Sequence, residues 1–240
     1  MITSHADVVG SLLRPAELLA AQKQLAAGTI TAVEFKEIED RAVDEAITLQ
    51  ESVGLEVVTD GEMRRLSFQS QMTAAVSGFG EFDLDAFLWG DWYDENGVHR
   101  KRRPRKLGAI SKLVCRRYLS VDEFAYLKSR TKRIPKITLP SPGLWANFWS
   151  ARYSKAAYPT LESFLADIVQ ILREEVAELA RLGAIYIQID APHYGLLLDS
   201  KTRGFYERQG WSLDRWLDRG IELDNAVMAQ FPGVTFGFHV

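Results

Sequence analysis

Three carboxylates, a histidine and a serine stand where short apolar runs of this sequence end. The run Ile185-Tyr186-Ile187-Gln188-Ile189 closes on Asp190, and Ala191-Pro192 follow. Leu55-Glu56-Val57-Val58-Thr59 closes on Asp60-Gly61-Glu62. Asp7-Val8-Val9-Gly10 closes on Ser11, and Val234-Thr235-Phe236-Gly237-Phe238 on His239. Alternating apolar residues over such lengths predict strands, and the proline after Asp190 stops its strand. The C-terminal ends of parallel strands are where β/α barrels build active sites. Glu62 and Asp190 on one rim can bind an amino group or act as general acid and base, and a glycosidase-like carboxylate pair is within that chemistry. A strand-end histidine suits a metal ligand, although one histidine makes no site. Each residue also has an ordinary alternative. Ser11 is a common turn residue, Asp190 reads equally as a loop acid or helix cap, and His239 alone reads as a core histidine. Their joint placement at four strand ends favours a site.

The elements between these ends follow from local pattern. Residues 15–27 are helical and Gly28 ends them. Thr31 and Glu34 have the spacing of a capping box, opening a helix to Val53 with Gly54 beyond it. Residues 55–60 form a second strand, and Ile137-Thr138-Leu139-Pro140 a third. Thr160 begins a helix whose apolar residues Leu161, Phe164, Leu165, Ile168, Leu172, Val176 and Leu179 keep helical spacing. Residues 211–230 form another helix, and residues 234–240 a fifth strand. The fold class is therefore α/β, a (β/α)8 TIM barrel truncated after about the fifth strand, since closure needs about eight strands. Residues 1–240 read as one catalytic barrel domain, or the N-terminal part of it. An excursion at about 71–133 does not follow the repeat; it reads as a hairpin plus a short helix near 121–130.

The chain has 240 residues, 47% hydrophobic and 25% charged, with a net charge of -3. That supplies a core and excludes the basic balance of a nucleic-acid-binding protein. No apolar stretch of about 18 residues is present, and the N-terminus lacks a secretory pattern. Cys115 is the single cysteine; it reads as a small buried residue, and the location as cytoplasmic. The basic run Arg100-Lys101-Arg102-Arg103-Pro104-Arg105-Lys106 reads as a solvated loop, or as a contact for an acidic substrate tail. Trp145, Phe148 and Trp149 either stack a flat ring at the barrel mouth or pack.

Four segments occur in an order that resembles a known family: Val9-Gly10-Ser11-Leu12-Leu13-Arg14-Pro15, Thr59-Asp60-Gly61-Glu62-Met63-Arg64-Arg65, Leu139-Pro140-Ser141-Pro142 and Ile187-Gln188-Ile189-Asp190. They resemble the cobalamin-independent methionine synthases, specifically short members equivalent to the C-terminal catalytic barrel. The resemblance implies a barrel that binds Zn2+ at its mouth and transfers a methyl group to a thiol, most simply homocysteine, to form methionine. A free thiol with a pKa of ~8.5 is mostly protonated at neutral pH, and coordination deprotonates it. His239 matches the first zinc ligand; the matching cysteine is expected two residues later, past Val240, with a glutamate and a second cysteine further on. By the same resemblance Gly10 and Ser11 contact the amino acid's carboxylate, while Glu62 and Asp190 hold its ammonium. Val8 stands where many short members have histidine, Ala191 where the long synthases have an acid, and Asp60 where the long enzymes have histidine. These differences bear on the methyl donor, methyltetrahydrofolate or a methyl-corrinoid, more than on the thiol. A metal-free decarboxylase or lyase on a related barrel is the second reading and a non-catalytic binding barrel the third. The 240 residues alone are expected to be inactive.

Overall fold

The computed structural model describes residues 6–68, 70–81, 91–93, 96–101, 107–208 and 210–240. Helix α1 (Ala16–Ala26) starts after Pro15 and ends before Gly28, whose φ of 70° only glycine adopts without strain. Helix α2 (Ala32–Ser52) opens on the capping box its sequence encodes. Glu34 N donates to Thr31 Oγ1 at 3.2 Å and Thr31 N donates to the Glu34 carboxylate at 2.8 Å. Then come β1 (Val57–Val58), α3 (Ser70–Ala75), β2 (Val76–Glu81), β3 (Asp91–Tyr93), β4 (His99–Lys101), β5 (Leu107–Cys115), α4 (Val121–Arg130) and β6 (Ile134–Pro140). A 3-10 helix (Pro142–Phe148), α5 (Leu161–Arg181), β7 (Tyr186–Asp190), α6 (His193–Leu196), α7 (Ser200–Arg208), α8 (Leu213–Met228) and β8 (Thr235–His239) complete the order.

Strands β1, β6, β7 and β8 form one parallel sheet in that order. Successive strand residues point to opposite faces, and here the two faces differ in chemistry. Ile137, Leu139, Ile187 and Ile189 belong to the main core cluster with Leu165, Ile168 and Leu172 of α5. Their neighbours Lys136, Thr138, Gln188 and Asp190 are polar and also buried. Parallel strands usually run apolar on both faces; the polar second face is what this sheet reserves for a site. A second cluster joins Leu18 of α1, Val43, Ala46 and Ile47 of α2, Val58 of β1 and Leu127 of α4.

Three sequence expectations are corrected. Residues 7–11 do not form a strand: the Val9 carbonyl accepts from the Gln188 side chain and Asp7 pairs with Lys136, so side chains rather than a ladder hold the segment. The parallel strands among the described residues are therefore four, not five. Cys115 is exposed: it ends β5, most of whose residues from Ile110 onward are exposed in a two-stranded ribbon. Helices α6 and α7 carry no sequence signal of their own; they are short, and their segment lacks a sustained apolar period.

Between β1 and β6 the chain leaves the parallel sheet. Strands β2 and β5 pair antiparallel, with a register shift between Ser77 and Phe79. Gly78 sits there at φ 114°, where a Cβ would lie 2.8 Å from the Lys112 carbonyl oxygen. Strands β3 and β4 form a separate pair. Phe87, Trp89 and Arg102 to Lys106 of the basic run lie outside the described residues. Trp145 and Trp149 pack in the main core, Trp145 stacked on Phe148 at 5.2 Å, so they are not a ring platform at the mouth. No helix among the described residues is long and apolar enough to cross a membrane.

Candidate functional site

The parallel register sets Pro140, Asp190 and His239 on one rung at the C-terminal end of the sheet. Asp190 and His239 meet there, carboxylate Oδ1 to Nδ1, at 3.1 Å. Gln188, two residues earlier on the same face, donates to Asp190 Oδ1 at 2.6 Å. Burial raises the Asp190 carboxyl above its ordinary range, while the hydrogen bonds from Gln188 and His239 pull it back.

After β1 the chain turns sharply through Gly61 at φ 67° and Glu62 at φ 54°. A left-handed glutamate costs about 1–2 kcal/mol, and such outliers cluster at functional sites. The turn is over-determined. Glu62 N donates to Asp60 Oδ1 at 2.9 Å, and Arg14 Nη2 donates to the carbonyls of Glu62 and Arg65 at 3.0 and 2.5 Å. The Glu62 carboxylate then receives Ser11 Oγ on Oε2 at 2.5 Å, and Thr138 Oγ1 and Arg65 Nη1 on Oε1 at 2.6 and 3.2 Å.

Arg65 is the hub of this side. It is fully buried and spends its planar fork on Glu62, Thr138 and Glu123, the last through Nε at 2.9 Å and Nη2 at 2.8 Å. Its carboxylate neighbours outweigh the burial that would otherwise depress it and hold the guanidinium charged. Asp60 lies among the same acids with Oδ2 unpartnered. Burial, reinforced by the charge of Glu123, pushes its carboxyl up to about 6.

Between these pairs lies a pocket of about 200 Å3, lined by Val9, Gly10, Ser11, Phe68, Asp190, Pro192 and His239. Gly10, Ser11, Asp190 and His239 thus share one wall-to-wall space, and Glu62 lies behind Ser11 rather than on the surface. α8 contributes a second buried polar group: its Asp224 accepts from Ser141 Oγ at 2.6 Å and Tyr194 OH at 2.8 Å. Burial pushes the Asp224 carboxyl up to about 6. His193 is buried against Gly143 with neither ring nitrogen partnered, and burial takes it down to about 3, a neutral imidazole.

Arg14, Arg65, Thr138 and Gln188 have structural roles at the site that sequence reasoning did not assign. The consecutive arginines after Asp60-Gly61-Glu62 were a usable signal, as was a glutamine inside an apolar strand. Asp224 gave none, because it lies on a helix with many other charged residues.

The chain matches the family model described as the catalytic domain of cobalamin-independent synthase over residues 1–227. It belongs to this family. The methionine synthase of Pyrococcus horikoshii is 31% identical over 187 residues, 78% of this chain and 51% of that protein. The 5-methyltetrahydropteroyltriglutamate–homocysteine methyltransferase of Thermosynechococcus vestitus is 31% identical over 206 residues, 86% of this chain and 26% of that protein. The structure of a B12-independent methionine synthase from Shewanella sp. W3-18-1 in complex with selenomethionine overlays with a TM-score of 0.69 at 17% identity, covering 98% of this chain and 60% of that one. The chain spans about half the length of the archaeal synthase it matches. The family fold is thus the barrel type of these synthase domains, and four parallel strands of it are seen here.

His239 fits a metal ligand in one respect: with Nδ1 on a carboxylate, its Nε2 is the nitrogen left for a metal, the arrangement that orients ligating histidines. Among the described residues no group of three or more His, Cys, Asp or Glu side chains is placed to hold a metal ion. What this chain brings to a metal is one oriented imidazole.

Proposed function

We propose that this chain forms the amino-acid-binding part of a zinc-dependent methyltransferase that methylates homocysteine to methionine, on a (β/α)8 barrel of which it supplies the first strands. The observation that carries this reading is the pairing of Ser11 with Glu62 and of Asp190 with His239 around one pocket at the strand ends. Zinc held in part by His239 would supply the thiolate form of the substrate sulfur. The remaining steps belong to the chain's own residues. Asp190 receives the substrate ammonium in a charge-assisted hydrogen bond. Glu62 adds its charge from behind Ser11 and keeps an acceptor site free on Oε2. The Gly10-Ser11 turn receives the carboxylate through its backbone N–H groups, because the Ser11 hydroxyl proton is already donated to Glu62. Holding both ends of the amino acid fixes where its sulfur lies and removes orientational freedom from the transfer.

The relatives named as methionine synthases and as a methyltetrahydropteroyltriglutamate-dependent enzyme support a folate methyl donor; none of these names supports the corrinoid alternative. Calorimetry with L-homocysteine tests the binding half, and methyl transfer from methyltetrahydropteroyltriglutamate with added zinc tests the whole. Homocysteine binding lost in Ser11→Ala and Asp190→Asn is the expected result. Absence of binding by the unsubstituted chain overturns the reading, and methyl transfer that is indifferent to zinc overturns the zinc assignment.

A further inference from the structure

The buried polar face of the sheet carries a continuous chain of hydrogen bonds that the proposed chemistry does not use. Lys136 on β6 is fully buried, and its ammonium donates to Asp7 Oδ2 at 2.9 Å and to Gln188 Oε1 at 2.8 Å. An ammonium has only donors, so the oxygen of the Gln188 amide must face it. The amide nitrogen is thereby forced to the opposite side. There it donates to the Val9 carbonyl and to Asp190 Oδ1, both at 2.6 Å. One nitrogen therefore joins the residue before Gly10, which leads into the carboxylate turn, to the side chain proposed to take the ammonium. These partners are 179 residues apart in one case and two in the other.

We propose that Gln188 is a positioning residue that couples the two halves of the amino-acid site, with Lys136 setting the direction of its amide. This rests on the amino-acid reading of the pocket. Neither hydrogen bond reaches the substrate. What they fix is the distance between the Gly10 turn and the Asp190 carboxylate, and hence the separation of carboxylate and ammonium that the site accepts. Glutamate at 188 would keep the shape but turn an acceptor oxygen toward two other acceptors. Methionine would keep the volume and remove the amide without adding charge.

The test compares three probes by calorimetry: L-methionine, its deaminated acid 4-(methylthio)butanoate and its decarboxylated amine 3-(methylthio)propylamine. The unsubstituted chain should bind methionine more tightly than either half-ligand. In Gln188→Met and Gln188→Glu that preference should shrink by about tenfold or more, the size of losing a charge-assisted hydrogen bond. The half-ligands, which need only one end of the site, should change little. A Lys136→Met variant should lose the same preference, because its amide is free to turn. Circular dichroism and thermal unfolding identify any variant that fails to fold; the Gln188→Met result stands if Lys136→Met does not. Uniform weakening of all three probes makes Gln188 a structural residue and overturns the proposal, as does an unchanged preference. If the unsubstituted chain binds none of the three, the amino-acid reading itself falls.

Discussion

Asp190 and His239 occupy the same rung of the parallel ladder, and the carboxylate meets the imidazole Nδ1 at 3.1 Å. Two residues 49 positions apart are brought within hydrogen-bonding reach by register alone. The contact leaves Nε2 as the outward nitrogen, and Asp190 serves two tasks, orienting an imidazole and presenting charge to the pocket.

Asp190→Asn should weaken L-methionine binding by about tenfold or more, because a charged acceptor for the ammonium becomes neutral. For the unsubstituted chain, binding should fall with acidification earlier than an ordinary carboxylate predicts, because burial raises the Asp190 carboxyl. Calorimetry at several pH values checks both; a flat profile down to the ordinary carboxylate range contradicts the assignment.

Arg65→Met should destabilise the chain by about 3–5 kcal/mol, because it leaves Glu62 and Glu123 as buried charges without their shared cation. Arg65→Lys should recover only part of the loss, since a single ammonium cannot reproduce the fork. Urea denaturation measures both, and a lysine variant as stable as the parent would remove the argument.

Asp224 predicts a pH dependence with a definite sign. Its carboxyl titrates at about 6 when folded, against 3.8 for the unperturbed group. A folded state that binds the proton more tightly gains stability below the lower value, and loses it as pH rises through the higher one. Two units of separation correspond to about 3 kcal/mol. Asp224→Asn should therefore gain stability relative to the parent as pH rises from 3.8 to about 6, and hold that gain above it. Parallel stability curves for the two proteins would contradict this.

Gly143→Ala should destabilise by about 1–3 kcal/mol, because its Cβ would lie 2.4 Å from His193 Nε2 in a packed core. His193→Ala in the same chain should relieve part of the cost. Thermal unfolding of the single and double variants gives the coupling, and additive effects would place the clash elsewhere.

The helices were legible because their signals are local. The Thr31 and Thr160 caps and the apolar spacing of α5 fix those elements within a few residues. The strand ends at Asp190 and His239 were legible for the same reason. Residues 7–11 were read as a strand because alternation looks the same whether a ladder or side chains satisfy the backbone; Gln188 and Lys136, far along the chain, decide which. Cys115 was misread because burial depends on whether a second layer covers a ribbon, and no local pattern encodes that.

For the site, the residue types at the strand ends, Ser11, Asp60 with Glu62, Asp190 and His239, are readable from local pattern. Side-chain period and turn chemistry are properties of a few neighbouring residues, so they can be read in place. That Ser11 caps Glu62, that Asp190 faces His239, and that Arg65 and Gln188 hold the two pairs emerges from the folded chain alone. Those contacts follow from parallel register and from which polar groups remain unsatisfied once the sheet is buried. Both are set by the whole fold at once, because a buried donor or acceptor must find whichever partner the packed chain brings near.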